Sequence, residues 1–283
     1  MKKATHQLID PILRAHRMSG KWKADVIQNM LLELETFDIA VARKKKISLG
    51  VCIASFILAL FPAFMGFFYL LPLALVGVLC IFLVKRYRSF DIDDQVRNFV
   101  KPVVDSLRYD VKKDAEVAVD IELLPIDNGK FLVKKSPAYA AGPYPKCIDY
   151  TYKRDFLKMK MCLRDGNKLV IAVDELLTKT EKTKKNARGK TKTKYKYAKK
   201  TDYCLELKVN TERFAVKEPP DAKESAGPKV NIVKKDGITV VNKSFTVKNK
   251  EKSMGGIGIC ADPVLVLANL TQFYAALKPA KAR

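Results

Sequence analysis

The sequence predicts an α+β membrane protein: N-terminal helices, a two-helix transmembrane hairpin, then a mainly antiparallel β domain, sandwich or barrel, with a C-terminal helix. Three observations carry this expectation. Residues 47–84 are 38 consecutive positions without a charge. Apolar residues before and just after that run recur at three and four positions, the helical period. Beyond Val117 they alternate with polar residues, the period of a strand.

Residues 1–46 read as an amphipathic helical segment. Leu8, Ile9, Ile12 and Leu13 form one stripe, Gly20 breaks it, and Trp22, Val26, Met30, Leu34 and Phe37 form a second. The uncharged run follows. One membrane-spanning helix needs about 20 residues, so the run fits two short helices. Pro62 and Gly66 bracket its middle, where a lost donor and a permissive backbone favour a turn. Basic residues flank both ends: Arg43, Lys44, Lys45 and Lys46 before it, Lys85, Arg86 and Arg88 after it. This places them at a membrane interface, with both termini on the cytoplasmic side. A bacterial inner membrane, or a host membrane entered by a translocated effector, is the expected location.

Residues 85–110 read as a linking helix, with Ile92, Val96, Phe99, Val100, Val103 and Leu107 on one stripe and a restart at Pro102. The β-rich domain is expected over 111–283. Val117, Val119, Ile121 and Leu123 alternate, as do Leu157, Met159, Met161 and Leu163, then Leu169, Ile171 and Val173 after Asp165-Gly166. Tyr203, Leu205, Leu207 and Val209 give another strand, and Lys235-Asp236-Gly237 marks a further hairpin. Pro137, Pro143 and Pro145 mark a loop, and 218–228 another. Asp262 and Pro263 have the chemistry of a helix start.

The most distinctive segment is 176–200, LLTKTEKTKKNARGKTKTKYKYAKK. From Lys179 to Lys200 it holds eleven basic residues and one acid, Glu181. Lys190, Lys192, Lys194 and Lys196 alternate with Thr191, Thr193, Tyr195 and Tyr197, which fits a strand with one dense lysine face. Together with Lys182, Lys184, Lys185 and Arg188 these lysines are the candidate anion-binding residues, on a projecting polar hairpin. The face could meet anionic lipid headgroups, an acidic protein or nucleic acid, the tyrosines adding surface on which bases could stack. The competing reading is structural: edge lysines keep a solvated hairpin from aggregating.

Charge and composition narrow the chemistry. The net charge of +23 is spread as +5 over 1–46, zero over 47–84 and +18 over 85–283, which favours phosphate-bearing or acidic partners. The six cysteines lack C-x-x-C spacing, so neither a disulfide framework nor a zinc site is indicated. His6 and His16 are the only histidines, so the β domain lacks the commonest general base. Gly189-Lys190-Thr191 ends like a phosphate loop, yet the required glycine at 184 is Lys184. Asp114, Glu116, Asp120 and Glu122 fit solvent-facing positions. No catalytic residue, metal ligand or cofactor is indicated.

The expected function is that of a non-enzymatic, membrane-anchored protein whose β-rich domain binds an acidic partner or an anionic membrane surface. In arrangement alone, a two-helix anchor before a β-rich domain resembles bacterial membrane effectors in which a β-barrel senses a nucleotide ligand. That resemblance implies a ligand-gated, membrane-perturbing effector whose hairpins cluster, small residues such as Gly50 and Ala54 allowing a homo-oligomer. A docking subunit of a larger membrane assembly is the remaining alternative.

Overall fold

The computed structural model describes residues 2–60, 70–88, 90–112, 114–185, 189–216, 231–235, 238–251 and 262–280. The chain divides into two compact units, residues 1–14 with 29–92, and residues 15–28 with 93–283.

The first unit is helical: α1 (Lys2–Ala15), most of α2 (Ala24–Leu60) and α3 (Leu70–Arg88). Ile9, Ile12 and Leu13 of α1 are buried, as are Met30, Leu31 and Leu34 of α2. Phe37 meets Phe90 edge to face at 6.4 Å, and the Cys52 thiol lies 3.8 Å from the Gly77 carbonyl.

This helix pair corrects the expected membrane anchor. Among the described residues no helix is long and apolar enough to cross a membrane. The first part of α2 is rich in charge; within the described residues its uncharged part, 47–60, spans about 21 Å by the helical rise and that of α3, 70–84, about 22 Å. A hydrocarbon core is about 30 Å thick. The transmembrane hairpin and the integral-membrane location are overturned together. Arg43, Lys44 and Lys46 lie along α2, Lys85 and Arg86 are exposed on α3, and Arg88 ends it. Lys45 pairs with Asp91 at 3.0 Å. The turn expected at Pro62 to Gly66 lies outside the described residues.

The second unit is built on one antiparallel sheet of nine strands. Its main path runs β1 (Arg17–Lys23), β2 (Glu116–Glu122), β5 (Tyr144–Cys162), β6 (Lys168–Lys185), β7 (Thr191–Val209), β10 (Ile238–Glu251) and β9 (Asn231–Lys235). Strands β3 (Leu132–Lys135) and β4 (Tyr139–Ala141) also pair with β5, and β8 (Phe214–Val216) pairs with β11 (Leu277–Pro279) separately. This is an open order with β1 and β9 at its ends, in place of the expected sandwich or barrel. Strand β1 replaces an expected stretch of helix. His16 takes a left-handed φ of 51°, which breaks the helical run, and the chain then pairs in register from Arg17↔Glu122 to Lys23↔Glu116. Gly20 serves the strand rather than a helix break: a Cβ there would sit 2.5 Å from the Trp22 ring, which folds back over it on the same face.

The alternating positions read from sequence form the inner face. Leu169, Ile171, Val173, Leu205, Leu207 and Tyr203 are buried, as are Leu157, Met159 and Met161. Over them lie a π-helical turn (Val96–Val100), α4 (Lys101–Leu107) and α5 (Pro263–Ala275). Phe99 packs 6.1 Å from the Tyr203 ring and 6.3 Å from Phe156. The π turn has a local cause: Pro102 has no N–H to donate, and the Lys101 N–H reaches back to the Val96 carbonyl instead. Asp262 caps α5, its carboxylate accepting the Val264 N–H at 2.9 Å. The Asp165-Gly166 turn forms as expected, with Gly166 at φ 88°. Pro145 falls within β5 rather than in the expected loop.

Candidate functional site

Strands β5, β6 and β7 have 19, 18 and 19 residues, well beyond the usual length of about 5–6. Their proximal halves carry the helices. Their distal halves continue as an arm. Strand β10 accompanies β7 only as far as Glu251↔Tyr197, so β7 beyond that point has β6 as its single described neighbour.

Register decides which side chains share a face, because directly opposed residues of antiparallel strands point the same way. Lys182 opposes Lys194, Lys184 opposes Lys192, and Thr180 opposes Lys196. These five lysines therefore line the outer face, as the alternation predicted. Two pairs of like charges stand directly across the ladder, an arrangement that costs stability. No carboxylate among the described residues pairs with any of the five. Lys182 and Lys184 instead place their ammonium groups 5.5 and 5.8 Å from the Tyr144 ring. Lys185 opposes Thr191 and so lies on the other face, Lys190 precedes β7, and Arg188 lies outside the described residues.

Not all of the basic segment belongs to this face. Lys199 is buried and lies 2.7 Å from Glu175, while Lys200 pairs with Asp202 at 2.8 Å. Lys199 closes a network the sequence did not reveal. Arg154, with no exposed side-chain surface, donates twice to Glu175, to Asp93 at 2.7 Å and to the Leu124 carbonyl. Asp93 in turn accepts the Gln95 N–H at 2.9 Å. Two cations and two carboxylates balance, and the guanidinium is held further above its ordinary range by Glu175 and Asp93, against the opposing pull of burial. The network fixes the start of the linking helix to the sheet. Arg154 and Lys199 have the sequence context of ordinary members of a lysine-rich surface, and only the pairing of β6 with β5 and with β7 shows them to be interior.

The inner face of the arm holds further residues that sequence reasoning missed. Ile126, Tyr152 and Leu177 form a small buried cluster, with Phe131, Tyr150 and Tyr197 packed on it. Lys179 lies 5.0 Å from the Tyr195 ring and 5.9 Å from that of Tyr197, and Lys135 lies 5.4 Å from Tyr150. Burial pushes the Tyr150 and Tyr197 phenols above their ordinary range, with the Glu181 charge adding to the effect at Tyr150 and the Asp127 charge at Tyr197.

Elsewhere the unit offers less. A cavity of about 460 Å³ is lined by Leu107, Leu163, Leu270 and Tyr274 with one cation, Arg164, against Asp110 and Asp165, which does not suit an anion. Tyr274 donates to Asp165 at 2.8 Å, and burial raises its pKa strongly. The carboxylates expected at the surface are largely engaged: Asp120 pairs with Arg17 at 2.5 Å, and the buried Glu122 with Lys130 at 2.9 Å. Among the described residues no group of three or more His, Cys, Asp and Glu side chains stands where it could hold a metal. Five cysteines, Cys52, Cys80, Cys147, Cys162 and Cys204, are free thiols. Comparison with protein-family models, with curated proteins and with solved structures gives no match.

Proposed function

We propose that the β-rich domain is a non-enzymatic binding module that docks on a polyanion through the outer face of the β6–β7 arm. The observation that carries this reading is the pair of like-charge oppositions, Lys182 with Lys194 and Lys184 with Lys192. Each such opposition destabilises a sheet by up to about 1 kcal/mol, and a bound anion between the ammonium groups offsets that cost. An anti-aggregation role asks only for scattered edge charges. Here the lysines are concentrated on a long, regular projection, in which β5 accompanies β6 as far as Lys146↔Thr183.

The test uses the full chain and three probes: vesicles of phosphatidylcholine with phosphatidylglycerol, a DNA oligonucleotide and polyglutamate. Replacing Lys182, Lys184, Lys192 and Lys194 by Gln should weaken binding to the recognised probe at least tenfold. The salt dependence should flatten with it, because fewer counterions are released. Binding that survives the four substitutions unchanged removes the arm from the site.

A further inference from the structure

The arm's two faces differ in chemistry, and the inner one narrows the partner. Across it, Tyr150 of β5, Lys179 of β6 and Tyr197 of β7 oppose one another in one row. The next row toward the tip is Ile148, Glu181 and Tyr195, and the next is Lys146, Thr183 and Thr193. Lys185 follows, opposite Thr191. Tyr195 is 42% exposed, while Tyr150 and Tyr197 are half-buried. The last two rest on the cluster of Ile126, Tyr152 and Leu177, so the platform is held by packed sheet rather than by a loop. The cations lie over ring faces, Lys179 over those of Tyr195 and Tyr197 and Lys135 over that of Tyr150, so a stacking base takes the opposite face of a ring or displaces the ammonium. Glu181 on this face accepts the Tyr150 hydroxyl at 3.4 Å, Glu251 of β10 opposes Tyr197, and the Asp127 charge acts on Tyr197.

Tyrosine also suits a protein interface or a lipid headgroup layer, but neither presents a planar π-face beside every charge. A duplex keeps its bases stacked inside and offers mainly its phosphates. A single strand offers both groups at once, a π-face on every base and a phosphate on every nucleotide. We infer that the arm binds single-stranded nucleic acid, its bases stacking on Tyr195, Tyr197 and Tyr150 and the phosphates beside them held by Lys179, Lys135, Lys146 and Lys185 of the same face, while the outer-face lysines meet phosphates further along the strand. This rests on the polyanion reading and names the partner within it. Sheet-borne aromatics tolerate any base, so the interaction is weakly sequence-selective.

The test measures fluorescence anisotropy of a labelled oligothymidylate of about 20 nucleotides, longer than the roughly 4–16 nucleotides that comparable sheets cover. The full chain is titrated into it, and in parallel into a duplex of equal length and into phosphatidylglycerol-containing vesicles. The single strand should bind most tightly. Tyr195→Ala should weaken it about tenfold while leaving duplex and vesicle binding unchanged, and Tyr195→Phe should retain it, since the ring rather than the hydroxyl stacks. Tyr195 is exposed, and an unchanged far-UV circular dichroism spectrum confirms that the sheet is intact in both variants. Equal affinity for single strand and duplex, or a single-strand affinity indifferent to Tyr195→Ala, overturns the inference. Lysine-dependent binding to duplex or vesicles without binding to the oligothymidylate defeats this inference and leaves the polyanion reading standing. No binding to any probe defeats both.

Discussion

Arg154→Met tests the interior of the arm's base. The wild-type network holds two cations, Arg154 and Lys199, and two carboxylates, Glu175 and Asp93. Methionine keeps much of the volume but leaves a net charge of −1 among buried groups, with Asp93 stripped of its cation and Glu175 left to Lys199 alone. Breaking a buried pair from one side costs about 3–5 kcal/mol, and the lost hydrogen bond to the Leu124 carbonyl falls within that range. Urea unfolding should therefore show a midpoint shift equivalent to at least about 3 kcal/mol. Adding Asp93→Asn to Arg154→Met restores neutrality and leaves the Glu175–Lys199 pair in place. The double variant should thus be more stable than the sum of the single losses by about 1–2 kcal/mol, within the range found for directly contacting groups. A loss below about 1 kcal/mol for Arg154→Met, or strict additivity with Asp93→Asn, would show that the network does not clamp the linking helix to the sheet.

Other expectations follow from single environments. Lys243 is buried with its ammonium 2.6 Å from the Gln272 side-chain oxygen, and burial lowers its pKa. The unfolded chain then binds the extra proton, so stability rises with pH as Lys243 approaches its ordinary titration; Lys243→Met should stabilise the fold at neutral pH by about 1 kcal/mol and flatten that rise, measured by urea titration across the alkaline range. Tyr274 behaves oppositely. Its raised pKa contributes stability that is complete below the ordinary tyrosine range and is lost as pH climbs through the folded value, and Tyr274→Phe should abolish that alkaline loss in a thermal melt. Gly20→Ala pushes the ring of Trp22, the single tryptophan, off the strand, and its emission should move to the red as the indole meets water. Gly166→Ala forces an alanine to φ 88° and sets its Cβ 2.6 Å from the Asn210 amide, so thermal unfolding should report a loss of at least about 1 kcal/mol.

Much of the β domain was legible because burial imposes a period of two. The alternation at Leu157, Met159 and Met161 and at Leu169, Ile171 and Val173 identified both strands and their turn. It did not carry backward through β5. A bulge between Asp155 and Leu157 shifts the register, so Arg154 and Phe156 face inward on one side of it and Leu157 on the other. The pattern therefore breaks off in sequence where the strand continues, and Pro145 added a false loop signal. Strand β1 was hidden for a different reason. Its burial is one-sided and weak, and its pairing partner β2 lies about 100 residues further on, which no local period can report. The uncharged run was legible as helix over 47–60 and 70–84, yet neither described helix is long and apolar enough to cross a membrane, since a run without charge fixes hydrophobicity and not helix length.

The lysine face of the arm was determined by the sequence alone. Alternation in a strand puts Lys192, Lys194 and Lys196 on one side whatever they pair with. Which lysines stand opposite them, and which cations of the same run are consumed inside, was decided only by the tertiary structure. Cross-strand register sets Lys182 against Lys194 and seats Lys199 beside Glu175, and register is fixed by contacts between distant segments. The same long-range pairing gathers Tyr150, Tyr195 and Tyr197 from two strands about 45 residues apart into one face. The sequence specified the charges and the rings; the folding of the sheet turned them into two surfaces.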